Sequence, residues 1–306
     1  MMHKTLISIV GPTGIGKTAL SLKLATHFKT AILSADSRQF YKEIPIGTAA
    51  PTGSELATAA HHFIHHKSIK DTYSVGAFET EALAKLEELQ RTNPIIIMVG
   101  GSGLYVNAVT KGFDEFPDIA PEIRMQLNSE LETNGLEFLQ EELKEIDPIS
   151  YTTIALKNPH RVIRALEICR GTGNPYSSFL NKDKRKRPFN TISIGLKAER
   201  PLIYERINQR VDQMLENGLL EEAKSVFEHR DLNALNTVGY KELFHYFDGE
   251  WTLDFAVSEI KKNTRRFAKR QMTWFQKDPE TAWFEYDTNL EDIVNHLNTV
   301  IKKTSE

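Results

Sequence analysis

The sequence predicts an α/β protein: a parallel sheet with helices on both faces, interrupted by a mainly helical insertion. Three observations carry this. An apolar run of strand length, Thr5–Val10, passes through a glycine-rich stretch into a segment of helical periodicity. A second apolar run, Ile95–Val99, ends in Gly100-Gly101-Ser102-Gly103. From about Phe113 to Pro188 the strand signals stop and only helical patterns remain.

The stretch after the first strand reads Gly11-Pro12-Thr13-Gly14-Ile15-Gly16-Lys17-Thr18. Glycines at this spacing between a strand and a helix let backbone N–H groups converge on phosphate oxygens, as in a P-loop NTPase-like fold. The helix N-terminus adds unpaired donors and a positive dipole end. Lys17 supplies a point charge for the terminal phosphates, and the Thr18 hydroxyl suits Mg²⁺. Residues 11–18 are thus candidates for binding a diphosphate or nucleotide. In the helix that follows, Leu20, Leu24 and Phe28 share a face, with Ala25 beside it.

Ala31–Ala35 reads as a second strand, ending at Asp36-Ser37-Arg38-Gln39. Ligand crevices in parallel sheets lie past the carboxyl ends of strands, which brings Asp36 toward the phosphate loop. Tyr41–Pro51 is a loop. His61, His62, His65 and His66 follow within six residues, around an apparent short strand at Phe63-Ile64 that would send alternate histidines to opposite sides. A structural or substrate-lining role is expected of them rather than metal binding. Phe78–Gln90 is helical and stops at Asn93-Pro94. The strand Ile95–Val99 lacks the acid that would hold Mg²⁺ in an ATPase, which disfavours ATP hydrolysis.

Helices are expected at Glu122–Leu131, Leu136–Ile146 and Pro159–Cys169, broken by Asn134-Gly135 and Asp147-Pro148. The insertion closes with a basic run, residues 181–187. Thr191–Leu196 alternates like a strand returning to the sheet. Helices follow at Pro201–Asn217, Leu219–His229, Tyr240–Tyr246 and Phe255–Lys277. On the last of these, Phe267, Gln271 and Trp274 are expected to face the core. Lys262, Arg266, Lys269 and Lys277 share another side, as a phosphate-tracking stripe would. The expected domains are a first core part at 1–112, the insertion at 113–190, and a return strand with basic C-terminal helices at 191–306.

With 306 residues, 40% hydrophobic and 26% charged, the composition is that of an ordinary globular protein. A net charge of −3 gives no global attraction to nucleic acid, so any such contact needs a local basic surface. The lone Cys169 allows no intrachain disulfide and no cysteine zinc cluster. The N-terminal apolar run is too short for a secretory signal and no stretch reaches the ~20 apolar residues of a membrane span, so the cytoplasm is expected. From the residues alone three readings stand: a kinase, a transferase with a diphosphate donor and a nucleic-acid acceptor, and a nucleotide switch or RNA-binding module.

The ordered motifs resemble those of the tRNA dimethylallyltransferases (tRNA isopentenyltransferases). They are Gly11–Thr18, Ser34–Tyr41, Ile46–Ala49, Val99–Tyr105, Arg161–Glu167, Arg210–Asp212, Val238–Glu242 and Thr264–Gln271. The resemblance implies transfer of a dimethylallyl group from dimethylallyl diphosphate to N6 of the adenosine 3′ of the anticodon, position 37. The acceptors would be tRNAs reading codons that begin with U. It implies Asp36 as the base, with Lys17, Thr18 and Arg210 completing the catalytic set and Thr18 holding Mg²⁺. Contacts to the tRNA anticodon stem-loop would come from Asp36, Ser37, Arg38, Gln39, Ser102 and Arg124. Further contacts would come from His160, Arg161, Val162, Ile163 and Arg164, and from Asn236, Thr237, Val238, Gly239, Tyr240 and Lys241. A monomer with no membrane contact is expected. Three departures stand out. Pro45 and Ala50 replace an aspartate and a lysine common in the family's loop, Ser102 replaces a threonine, and the histidine stretch carries two extra histidines.

Overall fold

The computed structural model describes residues 4–114, 116–180 and 186–304. Residues 181–185, most of the basic run, lie outside the described residues. The described chain forms two compact units. One holds residues up to Lys111 together with Arg187 onward, and the other spans Gly112–Lys186.

The first unit is built on six parallel strands: β1 (Thr5–Val10), β2 (Ile32–Ser34), β3 (His61–His62), β4 (Ile95–Val99), β5 (Asn190–Lys197) and β6 (Ala282–Glu285). Their order is β3-β2-β4-β1-β5-β6. β1 sits centrally, paired to β4 through Thr5↔Ile95 and to β5 through Thr5↔Asn190. Its alternation separates two cores. Ile7 and Ile9 pack with helices α1 (Lys17–Phe28), α8 (Arg200–Glu216) and α12 (Leu290–Lys303). Leu6 and Val10 face the opposite layer, helices α3 (Val75–Leu89) and α4 (Gly103–Thr110). Burial on both faces explains why β1 and β4 read as continuous apolar runs. A short helix, α2 (Gly53–Thr58), precedes β3 and carries a capping box between Thr52 and Glu55.

The strand expected at Phe63-Ile64 lies instead at His61–His62, because Phe63 (φ 65°) and His65 (φ 49°) take left-handed conformations that end strand pairing. The return strand spans Asn190–Lys197, and Phe189 is already part of this unit's core, so the helical unit ends at Lys186 rather than at 190. Beyond β5, helices α9 (Leu219–Ser225), α10 (Tyr240–Phe247) and α11 (Leu253–Phe275) pack around Val211, Leu235, Tyr240 and Ile260.

The second unit holds α5 (Pro121–Ile146), α6 (Pro148–Thr153) and α7 (Pro159–Thr172). α5 breaks at Gly135 (φ 80°, ψ 174°), the interruption its Asn-Gly pair foretells. α6 begins at the expected Asp147-Pro148 break, where Asp147 caps it by accepting from Ser150 N at 3.0 Å. Its core is Leu127, Leu139, Leu143, Val162, Ile163 and Leu166.

Candidate active site

The phosphate loop leaves β1 with Gly11, Gly14 and Gly16 all at positive φ, conformations that a side chain would resist. Gly16 is the N-cap of α1 and offers no capping side chain, and the first turn has no acid. The helix therefore presents open N–H groups to a cavity of about 690 Å³ lined by Thr13, Gly14, Gly16, Lys17 and Thr18. Gly11, Pro12 and Ile15 are buried beneath it, so they shape the loop through backbone rather than touch a ligand by side chain. Lys17 Nζ donates to the Pro12 carbonyl at 2.8 Å. Desolvation brings its pKa down to about 8; Asp36 opposes the shift and Arg210 adds to it.

Asp36 follows β2 as expected. Its Oδ1 accepts from Arg38 N at 3.1 Å, and its own N–H donates to Ser34 Oγ at 3.3 Å. Ser37 N donates to Ser102 Oγ at 3.0 Å, and the two hydroxyls are 3.1 Å apart, which ties the end of β2 to the loop after β4. Gln39 Nε2 donates to the Ala49 carbonyl at 3.1 Å. Arg210, on α8, donates to the same carbonyl at 3.4 Å; desolvation lowers its pKa, against the pull of Asp36.

A second cavity, about 760 Å³, opens beside the first. Its walls include Ser37, Arg38, Ser102, Asn236, Thr237, Val238, Gly239, Lys241 and the aromatic rings of Tyr105 and Trp274. Thr13, Asp36, Thr48, Ala49, Arg210, Phe267 and Gln271 line both cavities. Asp36 thus stands where a chamber rimmed by the glycine-rich loop meets an aromatic-walled one. Two chambers joined at a carboxylate suit a group transfer in which donor and acceptor enter separately.

Several side chains are placed differently from expectation. Tyr240 is fully buried and donates to Glu222 Oε1 at 2.5 Å, so its side chain is structural. Val162 and Ile163 lie in the core of the helical unit and cannot reach a ligand. Of the residues expected to contact tRNA on α7, His160 and Arg161 are exposed and Arg164 is half-buried. Arg124 and Arg164 both donate to Glu167 Oε2, at 3.0 and 2.8 Å. Arg38 spends its guanidinium on the carbonyls of Asn233, Ala234 and Asn236, ordering that loop. Phe267 and Trp274 are 37% and 38% exposed and wall the cavities instead of the core; Gln271 alone of the three is buried. Lys262 is paired with Glu259 at 2.7 Å, which thins the basic stripe, and its neighbour Lys261 is paired with Asp212 at 2.6 Å. Of the basic run, Arg187 is engaged by Glu79 and the Ala108 carbonyl.

Two residues outside the expected set belong to the site. Gln271 accepts from Thr13 N at 2.8 Å and donates to Gly101 O at 2.9 Å. A Cβ on Gly101 would meet the Gln271 amide, so a side chain there would displace this bridge. Arg206 lines the phosphate-loop cavity one helical turn before Arg210, its guanidinium over the Tyr286 ring at 5.4 Å. The i, i+4 spacing on α8 is the signal that could have found it. Of the histidines, His61 lines the phosphate-loop cavity; burial lowers the pKa of His62, His65 and His66.

The family described as IPP transferase has a model that matches residues 39–278. The chain belongs to the IPP transferase family. A tRNA dimethylallyltransferase of Christiangramia forsetii is 58% identical over 300 residues, covering 98% of this chain and 99% of that protein. One from Flavobacterium johnsoniae is 55% identical, with 98% and 99% covered. The full-length tRNA isopentenylpyrophosphate transferase of Bacillus halodurans has TM-score 0.74 at 37% identity, covering 99% of this chain and 98% of that one. A eukaryotic dimethylallyltransferase acting on tRNA has TM-score 0.81 at 28% identity, covering 95% and 77%. The family is the one the motifs resemble, and the P-loop NTPase-like fold is the one the strand, glycine-rich loop and helix predict.

Proposed function

We propose that this chain transfers the dimethylallyl group of dimethylallyl diphosphate to N6 of adenosine 37 in tRNAs that read codons beginning with U. The observation that carries the mechanism is the position of Asp36 on the seam between the two cavities. The diphosphate sits against the open N–H groups of the phosphate loop, Lys17 and Arg210. The flipped adenine enters the aromatic-walled chamber, since a stacked base cannot reach a half-buried carboxylate set inside the cavities. N6 attacks the allylic carbon, the carbon–oxygen bond breaks, and the electron pair leaves with diphosphate. The N6 proton passes to the Asp36 carboxylate. Charge gathering on the leaving group is met by donors already in place.

Mg²⁺ fits one part of this site. The Thr18 hydroxyl lines the cavity and takes part in no hydrogen bond among the described residues. Those residues hold no group of three or more His, Cys, Asp or Glu that could hold a metal, so the ion would be shared by Thr18, diphosphate oxygens and water. Bound there, it would neutralise charge on the leaving diphosphate.

Ser37, Ser102 and residues 236–239 and 241 are assigned to the anticodon loop, with Arg124, His160, Arg161 and Arg164 of the helical unit on RNA phosphates. Among the described residues no helix is long and apolar enough to cross a membrane. We assign the reaction to the cytoplasm, where unmodified tRNA is met. The kinase reading has no such support, because Gly100 and Gly101 stand where an acid would hold the metal of a nucleoside triphosphate.

Asp36→Asn tests the mechanism. Turnover should fall by about 10²–10⁴ while tRNA binding persists. Near-normal turnover would remove Asp36 as the base.

A further inference from the structure

The loop Ile44–Ala50 carries two of the departures from the family pattern, Pro45 and Ala50, yet Thr48 and Ala49 line both cavities. Ala49 holds a left-handed conformation (φ 46°) that a residue with a Cβ disfavours. Its carbonyl is the shared acceptor of Gln39 and Arg210. A strained residue at a ligand wall persists only if its surroundings fix it. The loop holds itself in part, with Ala49 N donating to the Ile46 carbonyl and Ala50 N to that of Pro45, and a further anchor comes from outside it. Glu222, in the first turn of α9, accepts from Ile46 N through Oε2 and from Gly47 N through Oε1, both at 2.8 Å. The buried Tyr240 hydroxyl donates to the same Oε1 at 2.5 Å and so holds the carboxylate in place.

We propose that Glu222 is a positioning residue for the prenyl transfer. It latches the backbone at Ile46 and Gly47, so that the Ala49 carbonyl keeps Arg210 turned toward the diphosphate. The inference rests on the reading of the site given above. An ionised carboxylate suits this task, because backbone N–H bonds to a charged acceptor are shorter and stronger than neutral ones. A carboxamide cannot replace it: with one arm accepting, its NH₂ arm would face the second N–H, donor against donor.

The test compares Glu222→Gln, Glu222→Asp and Glu221→Gln in the full chain. Each is assayed for kcat, for KM of dimethylallyl diphosphate, for tRNA dissociation constant, and for amide hydrogen exchange at Ile46 and Gly47. Glu221→Gln removes the neighbouring charge without touching the loop and should match the parent. In Glu222→Gln, exchange at the two amides should quicken. The ratio kcat/KM for the donor should fall about 10-fold or more, with tRNA affinity within about 2-fold. Glu222→Asp keeps both acceptor oxygens and should recover part of the loss. A lower melting temperature with kcat and KM unchanged would make Glu222 merely structural and overturn the proposal. So would unchanged exchange at Ile46 and Gly47. If Glu222→Gln does not fold, the same comparison on Glu222→Asp decides. Parent protein that fails to transfer to tRNA would instead sink the functional reading, whatever the latch does.

Discussion

The Thr13 amide donates to Gln271 Oε1 at 2.8 Å, and this joins the phosphate loop to the long basic helix α11. Through its other arm Gln271 reaches the Gly101 carbonyl, so one buried amide spans the loops after β1 and β4. Only a side chain with a donor and an acceptor on one planar group can do both.

Gln271→Leu strands one N–H and one carbonyl. Each unmet group costs about 1–3 kcal/mol, so the melting temperature should drop and kcat should fall with it. Gln271→Glu keeps the acceptor for Thr13 but turns oxygen against oxygen at Gly101 and adds negative charge near Asp36. It should lose more turnover than stability. Thermal melts beside steady-state kinetics separate the two, and a Leu variant with parental stability and rate would show the bridge to be idle.

Lys17 provides a proton-linked signature of donor binding. Desolvation holds its pKa at about 8 in the free site, so above that pH most molecules carry the neutral amine. A diphosphate beside it favours the charged form and raises the pKa, so binding takes up a proton between the free and bound values. Donor affinity should therefore weaken as pH climbs past about 8. Calorimetry at pH 8.5 in buffers of different ionisation enthalpy should report net uptake, absent in Lys17→Gln and small at pH 6.5. Equal uptake in the variant would assign the proton to another group.

The basic face of α11 is unevenly free. Lys262 already pairs with Glu259, and Arg265 donates to Asn208 at 2.8 Å, whereas Lys269 and Arg266 are exposed. Removing both Arg266 and Lys269 should weaken tRNA binding and shallow its salt dependence by about 0.7 per lost phosphate contact. Lys262→Ala should change the slope little. A double variant with the parental slope would leave this face as solvated surface.

What was legible in the sequence follows from how local each signal is. The phosphate loop, β1, β4 and the break at Gly135 are written in consecutive residues. Asp36 was reachable through topology, because all parallel strands end at one edge. β6 carries no such signal: three of its residues are half-buried and Glu285 is exposed, and its partners in β5 lie 88 residues earlier. α12 is marked in sequence only by the spacing of Ile293, Val294 and Leu297, its buried face. The roles of Phe267, Trp274 and Tyr240 depend on whether a ring meets a packed core or a cavity. Helical periodicity reports that a face is apolar, not what covers it. Helical spacing places Gln271 in the core, where it is indeed buried, but its partners lie 258 and 170 residues away in sequence.

The central claim is tested most directly by supplying labelled dimethylallyl diphosphate and Mg²⁺ to the protein, with unmodified tRNA and, in parallel, free AMP. Label should enter tRNA alone and disappear when the adenosine 3′ of the anticodon is replaced. Label in AMP alone, or in neither acceptor, would contradict the account.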